Sequence, residues 1–561
     1  MVVAVIVGVG AGLGAILFRY LIVSFTIVFS GSADYSAAGR AAHPWFPWLG
    51  FGFVVLAPVL GGLIYGPLVE RFAREARGHG VPEVMLAVAT QGGRIRTRVA
   101  TVKALASAIC IGCGGSVGRE GPIVQIGSAL GSSLGQALGF SVPRMRLLVA
   151  CGAAGGISAT FNTPIAGVFF ALELILRDFE TESFGTVVLA SIAADVVSRA
   201  AFGSQPFLSL PPFQLVSFAE YPLYMGLGLL AAGAGVAFIR VLYGLEDVAD
   251  RYWRGPEGLR PAVGGVALGL LLLALPQMYG VGYPVLQNGI RGDYVVAFLL
   301  VLLVGKLLAT SLTIAIGGSG GVFAPSLFQG AMLGTAYGAL VHRLLPTVTA
   351  PPGAYGLVGM GAVFAAAARA PITAVIIIFE LTGEYRIILP LMFATVIATG
   401  LSRLMIRDTI YTTKLRRRGI DVTGANSRSL MATLHVRDAM QPLPLAVPTT
   451  LPLEQAIVRL ASKDVEALPV VDESGRLVGV LTREMVERSM QEAKLDATAG
   501  QIARPTATVH DHETLEQALV VLVRERSGVP VLSAEGGRAV GWLSHRDVLS
   551  AYAKGLREVG T

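Results

Sequence analysis

The sequence predicts an all-α polytopic membrane protein, built from two related halves with broken helices and followed by a small soluble α/β module. Three observations carry that prediction. The 561 residues are 53% hydrophobic and only 14% charged, with a mean hydropathy of +0.65, whereas soluble domains carry about 25% charged residues. The stretch Gly114-Gly115-Ser116-Val117-Gly118-Arg119-Glu120-Gly121-Pro122 recurs 203 positions later as Gly317-Gly318-Ser319-Gly320-Gly321-Val322-Phe323-Ala324-Pro325. Apolar stretches run from Met1 to about Arg403, and the tail beyond them is polar and has a repeat of its own.

The first repeat is registered over a long stretch. Gly127, Gly131 and Gly135 fall on Gly330, Gly334 and Gly338, and Lys103 falls on Lys306. A second echo follows each copy at an offset of 207. Asn162-Thr163-Pro164 leads an apolar run to Glu173, and Arg369-Ala370-Pro371 leads another to Glu380. Repeated halves in a membrane protein place a transport site at the interface between them. Glu173 and Glu380 are expected to accept hydrogen bonds from nearby backbone rather than to carry protons.

Taken in order, the apolar segments are uneven. Met1–Phe29, Tyr221–Leu242 and Val295–Ile316 are long enough to span. The first is too long for a removable signal peptide and lacks a cationic start and small-residue cleavage site, so it is expected to be a retained membrane helix. Leu148–Thr160, Pro164–Leu176, Leu357–Ala367 and Pro371–Leu381 are shorter than the roughly 20 residues of a perpendicular crossing. Segments that stop midway need partners for their backbone groups, which only protein or a polar cavity supplies.

The breaks are chemically alike. Gly78-His79-Gly80-Val81-Pro82, Gly118-Arg119-Glu120-Gly121-Pro122 and Gly321-Val322-Phe323-Ala324-Pro325 each put glycine before, and proline at, an expected helix start. Proline suits a first helical turn because the N–H it lacks would be orphaned there. The remaining first-turn N–H groups point outward, and the helix dipole adds about half a positive charge. Several such ends converging would hold an anion. Glu120 is the exception in this apolar setting. A carboxylate at membrane depth costs about 2.5–3.5 kcal/mol on insertion scales, which marks it as a functional residue.

Other classes are disfavoured. The net charge of +7 is modest and sits at segment ends and in the tail, so no nucleic-acid partner is expected. Cys110 and Cys113 form a CxxC with no second pair or nearby histidine, so no metal site is expected. No phosphate loop, metal cluster or nucleophile triad points to an enzyme.

The three Gly/Pro motifs, in this order, resemble the GSGIP, GREGP and GxFAP motifs of the CLC family of chloride channels and chloride/proton exchangers. That family carries a tyrosine after its last membrane helix, matched here by Tyr411 in Thr409-Ile410-Tyr411. The resemblance covers roughly residues 1–419. It implies inverted repeats and a homodimer in the lipid bilayer, each subunit with its own pathway for chloride or another small anion. It also implies that Glu120 is a gating glutamate which competes with the anion until protonated. Val322 and Phe323 resemble the backbone donors of the central site, and Tyr411 its hydroxyl donor.

Two positions depart from the pattern. His79 stands where the family has a serine that contacts the central anion. Histidine is larger and titrates near neutrality. It either points away, leaving backbone donors alone, or alters selectivity or pH response. Leu174 stands where proton-coupled members often have an inner glutamate relay, one residue after the match to Glu173. Leucine carries no proton, so the expectation leans to a passive chloride channel. Chloride/proton antiport is the alternative, and a regulated cation transporter the second. The proline after Glu120 fits the chloride-type members better than the fluoride branch.

Lys414-Leu415-Arg416-Arg417-Arg418-Gly419 places the cytoplasmic side of a cell (inner) membrane at this end. Residues 420–435 read as a polar linker. In the tail, Leu453-Glu454-Gln455-Ala456 recurs as Leu515-Glu516-Gln517-Ala518, and Leu468-Pro469-Val470 pairs with Val529-Pro530-Val531. This resembles a cytoplasmic tandem CBS pair over 436–556, with repeats at 436–495 and 500–556. Such pairs often bind adenine nucleotides (ATP, ADP or AMP). The family's ribose-contacting aspartate, three residues after a Ser or Thr, matches Ser544 and Asp547 in the second repeat. In the first repeat Met485 replaces it. Nucleotide sensing and a purely structural role remain open, and no cofactor is otherwise required.

Overall fold

The computed structural model describes the chain apart from residues 209, 211–212, 214, 421–430, 432–433, 462–466, 493–495, 526–527, 534–537 and 560–561. Most of the expected linker 420–435 therefore lies outside the described residues. The chain divides into two compact units, Met1–Val422 and Thr423–Thr561.

Among its described residues, the regular elements of the first unit are all helices. One half comprises α1 (Val2–Ser30), α2 (Phe53–Phe72), α3 (Val81–Thr90), α4 (Arg98–Gly112), α5 (Glu120–Ala137), α6 (Val142–Phe161), α7 (Pro164–Phe170) and α8 (Thr181–Phe202). The other comprises α9 (Tyr221–Tyr252), α10 (Arg260–Ala274), α11 (Tyr283–Arg291), α12 (Val296–Ala315), α13 (Phe323–Leu344), α14 (Pro352–Ala368), α15 (Pro371–Thr382) and α16 (Ile388–Met405). The short α17 (Thr412–Arg417) follows. Packing repeats with the sequence: α1 lies on α8 as α9 lies on α16, and α5 on α6 as α13 on α14.

Glycine makes the tightest of these crossings. A Cβ on Gly127 of α5 would collide with the carbonyl oxygen of Gly152 in α6, and one on Gly330 of α13 with that of Gly359 in α14. The repeated glycines thus mark backbone-on-backbone contacts, the usual way membrane helices approach closely. Among the described residues, seven helices are long and apolar enough to cross a membrane, including Val2–Ser30, Val296–Ala315 and Ile388–Met405. The expected spans differ at their ends. Tyr221–Leu242 continues to Tyr252, and Leu148–Thr160 is the apolar part of the 20-residue α6, whose first turns carry Arg144 and Arg146. α7 runs on through π-helical turns at Ala171–Leu176.

Among its described residues, the second unit holds two small sheets and the helices α18 (Val436–Ala439), α19 (Leu453–Leu460), α20 (Arg483–Gln491), α21 (Ala499–Ile502), α22 (Leu515–Leu522) and α23 (His545–Val559). Strands β2 (Val447–Pro448), β3 (Ala467–Val471) and β4 (Leu477–Thr482) form one sheet, β2 parallel and β4 antiparallel to β3. Strands β5 (Val509–His510), β6 (Val529–Leu532) and β7 (Ala539–Leu543) repeat that arrangement. The leading strand β1 (Gln441–Pro442) pairs with β7, so it completes the sheet of the other repeat. Each repeat buries its own apolar core, around Leu453, Ala456 and Leu460 in one and Leu515, Ala518 and Leu522 in the other.

Candidate functional site

The three Gly/Pro motifs come together. Gly118 N–H donates to Gly321 O at 2.7 Å, and Gly321 N–H returns the bond to Gly118 O at 2.6 Å. Gly78 N–H donates to Gly318 O at 3.0 Å, and Gly320 N–H to Gly78 O at 3.3 Å. These short bridges tie the loops that open α3, α5 and α13. Gly80 takes a left-handed φ of 80°, and a Cβ there would press on Gly121 O. Val81 and Glu120 are the first helical residues of α3 and α5, and Phe323 is that of α13. Glu120 and Phe323 thus hold equivalent places in the two halves. Pro82, Pro122 and Pro325 all lie in first turns, as expected from their missing N–H.

The loops are anchored from behind by two buried lysines. Lys103 of α4 donates to Ala76 O (2.9 Å) and Gly78 O (2.7 Å). Lys306 of α12 donates to Ser116 Oγ (2.9 Å), Gly280 O (3.1 Å) and Val281 O (2.8 Å). Hydroxyls cross between the halves in the same pattern. Thr310 Oγ1 donates to Ser116 O at 2.8 Å, and Ser107 Oγ lies 2.8 Å from Ser319 Oγ. Residues that coincide on the 203-residue shift therefore do equivalent work: each lysine holds a loop of its own half, through Gly78 O and Gly280 O, while Ser107 and Thr310 reach Ser319 and Ser116 of the opposite half.

Glu120 is fully buried. Its Oε2 accepts the Ala324 N–H at 3.3 Å, a first-turn donor of α13. Its Oε1 accepts the Tyr283 hydroxyl at 2.7 Å. Tyr283 is absent from the sequence-based candidates. It opens α11, a fourth broken helix, and the signal for it was there: Gly280-Val281-Gly282-Tyr283-Pro284 matches Gly78-His79-Gly80-Val81-Pro82 at an offset of 202. Arg119 turns to Thr160 O (3.1 Å), with its guanidinium over the rings of Phe161, Phe207 and Tyr283.

His79 is buried, with its ring 6.3 Å from those of both Tyr243 and Tyr411. Its Nε2 lies 3.4 Å from the Tyr243 hydroxyl, which donates to Ile410 O at 2.6 Å. The side chain thus sits in an aromatic cluster beside Tyr411, which is itself buried. Val322 and Phe323 are buried, and Phe323 packs on Phe161, Phe170 and Phe364. Leu174 lies in the π-helical turns, 5% exposed.

Several spaces lie beside these residues. A cavity of about 210 Å³ is lined by Arg19, Asp34, Arg119, Phe207, Tyr279 and Tyr283, among others. A larger charged basin of about 640 Å³ is walled by cations, including Arg74, Arg77, Lys414 and Arg417, and by carboxylates, including Asp247 and Glu257. Lys414 reaches from it to Arg77 O at 3.5 Å, one residue before the first motif.

In the second unit, Asp547 Oδ2 accepts Ser544 N–H (2.9 Å) and Ser544 Oγ–H (2.6 Å). In the first repeat, Thr482 caps α20 by accepting from Met485 N–H at 3.4 Å, with no carboxylate at that place.

The comparisons with known proteins agree with this arrangement. The family model described as voltage gated chloride channel matches residues 61–403, and that of the CBS domain matches 436–492 and 499–554. A protein of Ralstonia nicotianae, provisionally named a ClcB-like chloride channel protein, is 36% identical over 403 residues, 71% of this chain and 92% of that one. The H(+)/Cl(−) exchange transporter ClcA of Vibrio campbellii is 35% identical over 356 residues, 62% of this chain and 76% of that one. Among solved structures, a slow cyanobacterial Cl−/H+ antiporter has a TM-score of 0.65 and 25% identity, over 74% of this chain and 97% of that one. A eukaryotic CLC transporter shares the fold over 97% of both chains, with a TM-score of 0.62 and 21% identity. The chain therefore belongs to the CLC family of chloride channels and chloride/proton exchangers, and it carries a pair of CBS domains after its membrane part.

Proposed function

We propose that this CLC-type anion transporter exchanges chloride for protons, with Glu120 acting as both the plug of the anion pathway and the group that carries the proton. One observation carries the reading: a fully buried carboxylate sits at the first residue of α5, accepting a first-turn N–H of α13. Ionised, it occupies ground that suits an anion. Protonated, it is neutral and releases that ground, so chloride entry and proton uptake are coupled by like-charge repulsion.

The lean toward a passive channel, drawn from Leu174, gives way here. Support for coupling comes from the relative named as an H(+)/Cl(−) exchange transporter and the antiporter structure of similar fold. Leu174 removes one proton carrier from the route and leaves Glu120 in place. A cation transporter is disfavoured by the two buried lysines behind the site. The remaining assignments follow the family: a homodimer in the cell membrane, with the Lys414–Gly419 end and the CBS pair on the cytoplasmic side. Adenine nucleotide would bind at Ser544 and Asp547.

The test is the reversal potential of the purified protein in planar bilayers under combined chloride and proton gradients. Exchange predicts a potential displaced from the chloride equilibrium value, and uphill proton movement driven by chloride. A potential fixed at the chloride value at every pH gradient would return the protein to the passive-channel class.

A further inference from the structure

Tyr283 bridges two places. Its ring lines the 210 Å³ cavity, and its hydroxyl reaches the buried Glu120 carboxylate at 2.7 Å. Another donor to that carboxylate, the Ala324 N–H, stands at 3.3 Å, so the phenol makes the shorter bond of the two. We propose that Tyr283 is a latch on the Glu120 gate: its hydroxyl holds the ionised carboxylate in the blocking position and sets the pH at which the gate opens. This rests on the reading of Glu120 as a gate.

The phenol is well built for that task. Its ring is pinned edge-on by Phe207 at 4.8 Å, with the Arg119 guanidinium 5.3 Å from its centroid. Gly282 before it takes a φ of 86°, and Pro284 after it stiffens the first turn of α11. The hydroxyl is therefore held at one point rather than swinging with the gate. A hydrogen bond to an ionised acceptor is shorter and roughly twice as strong as one to a neutral acceptor. The bond is consequently strong when Glu120 is charged and weak once it is protonated. Its presence favours the ionised, closed form. Protonation loosens the carboxylate from the phenol at the moment the gate must move.

The other groups that face Glu120 do not explain the same behaviour. Arg119 at its own helix cap, Lys306 of α12 and Tyr411 before α17 all act on it through space. None of the three makes a hydrogen bond to the carboxylate among the described contacts; Arg119 also meets the Tyr283 hydroxyl, and it stays in place beside the ring in both replacements at position 283.

The experiment is anion flux against pH for the full-length protein in proteoliposomes. Tyr283→Phe keeps the ring and its packing and removes the oxygen. The acid-side rise in flux should move to higher pH by about one unit, the size of one charge-assisted hydrogen bond. Flux near neutral pH should rise several-fold with it. Adding Tyr283→Phe to Glu120→Gln should change nothing further, because the acceptor is already neutral. Incorporating 3-fluorotyrosine at position 283, a more acidic phenol and stronger donor, should move the profile the opposite way. If Tyr283→Phe fails to assemble, the fluorotyrosine protein decides. A profile unmoved by either replacement, or a Tyr283→Phe shift of equal size in the Glu120→Gln background, overturns the latch while leaving the exchanger reading standing. A wild-type flux with no pH dependence removes the gate itself, and the latch with it.

Discussion

Glu173 and Glu380 cap each other's helices across the two halves. Glu173, at the end of the α7 rod, accepts from Ile372 N–H (3.2 Å) and Thr373 N–H (2.8 Å) at the start of α15. Glu380, near the end of α15, accepts from Ile165 N–H (3.0 Å) and Ala166 N–H (2.7 Å) at the start of α7. The two helices must run antiparallel for this to close, which is the geometry of inverted halves. The motif is a helix cap supplied in trans, with a carboxylate placed where the dipole favours it.

Stability should report this exchange directly. Glu173→Ala and Glu380→Ala each leave two first-turn N–H groups without a protein acceptor. Each is expected to cost about 1–3 kcal/mol, seen as a lowered melting temperature in detergent. The double variant should lose more than either single one. Melting temperatures equal to wild type would show that water caps these helices as well as the carboxylates do.

The gate should answer to charge alone. Glu120→Gln keeps the shape of the side chain and removes its titration. Anion flux in proteoliposomes should then lose its pH dependence, and proton coupling should vanish together with it. Flux that still rises as pH falls would move the titrating group elsewhere.

The lysines should be structural rather than transport groups. Lys306→Met strands the acceptors Ser116 Oγ, Gly280 O and Val281 O inside the protein. Buried unsatisfied acceptors cost about 1–3 kcal/mol each. The expected result is loss of assembled protein in membranes, measured by size-exclusion yield, with Lys103→Met behaving alike. A variant purified at wild-type yield with unchanged melting would contradict that role.

The CBS pair should bind nucleotide through a single site. Calorimetry of the full-length protein with ATP, ADP and AMP should show binding that Asp547→Ala abolishes. Because Asp547 also accepts from Ser544, Asp547→Asn serves as the milder control, expected to weaken binding while keeping the turn. Absence of heat with all three nucleotides would leave these repeats a structural role.

Much of the site was legible from local chemistry. Glycine before and proline within a first turn place a helix start by steric rules that involve only neighbouring residues. For that reason α3, α5 and α13 begin where the motifs indicate. The same rule applies to Gly282-Tyr283-Pro284, but the 9 residues of α11 include Gln287, Asn288 and Arg291, so no apolar run follows the motif as one does in α3. In the tail, the repeats were visible as matched apolar positions. The exchange of β1 was not, since a two-residue strand has no period.

By itself, the sequence determined that the chain is a membrane protein of two related halves, where its helices break, and that one acidic residue stands among the breaks. Composition, spacing and backbone sterics act locally and survive without coordinates. Only the tertiary structure decided who meets whom: the Tyr283 phenol on Glu120, the paired caps of Glu173 and Glu380, and the histidine between two tyrosines. Those partners lie more than a hundred residues apart in the chain, and only the packing of buried helices sets which hydrogen bonds they can reach.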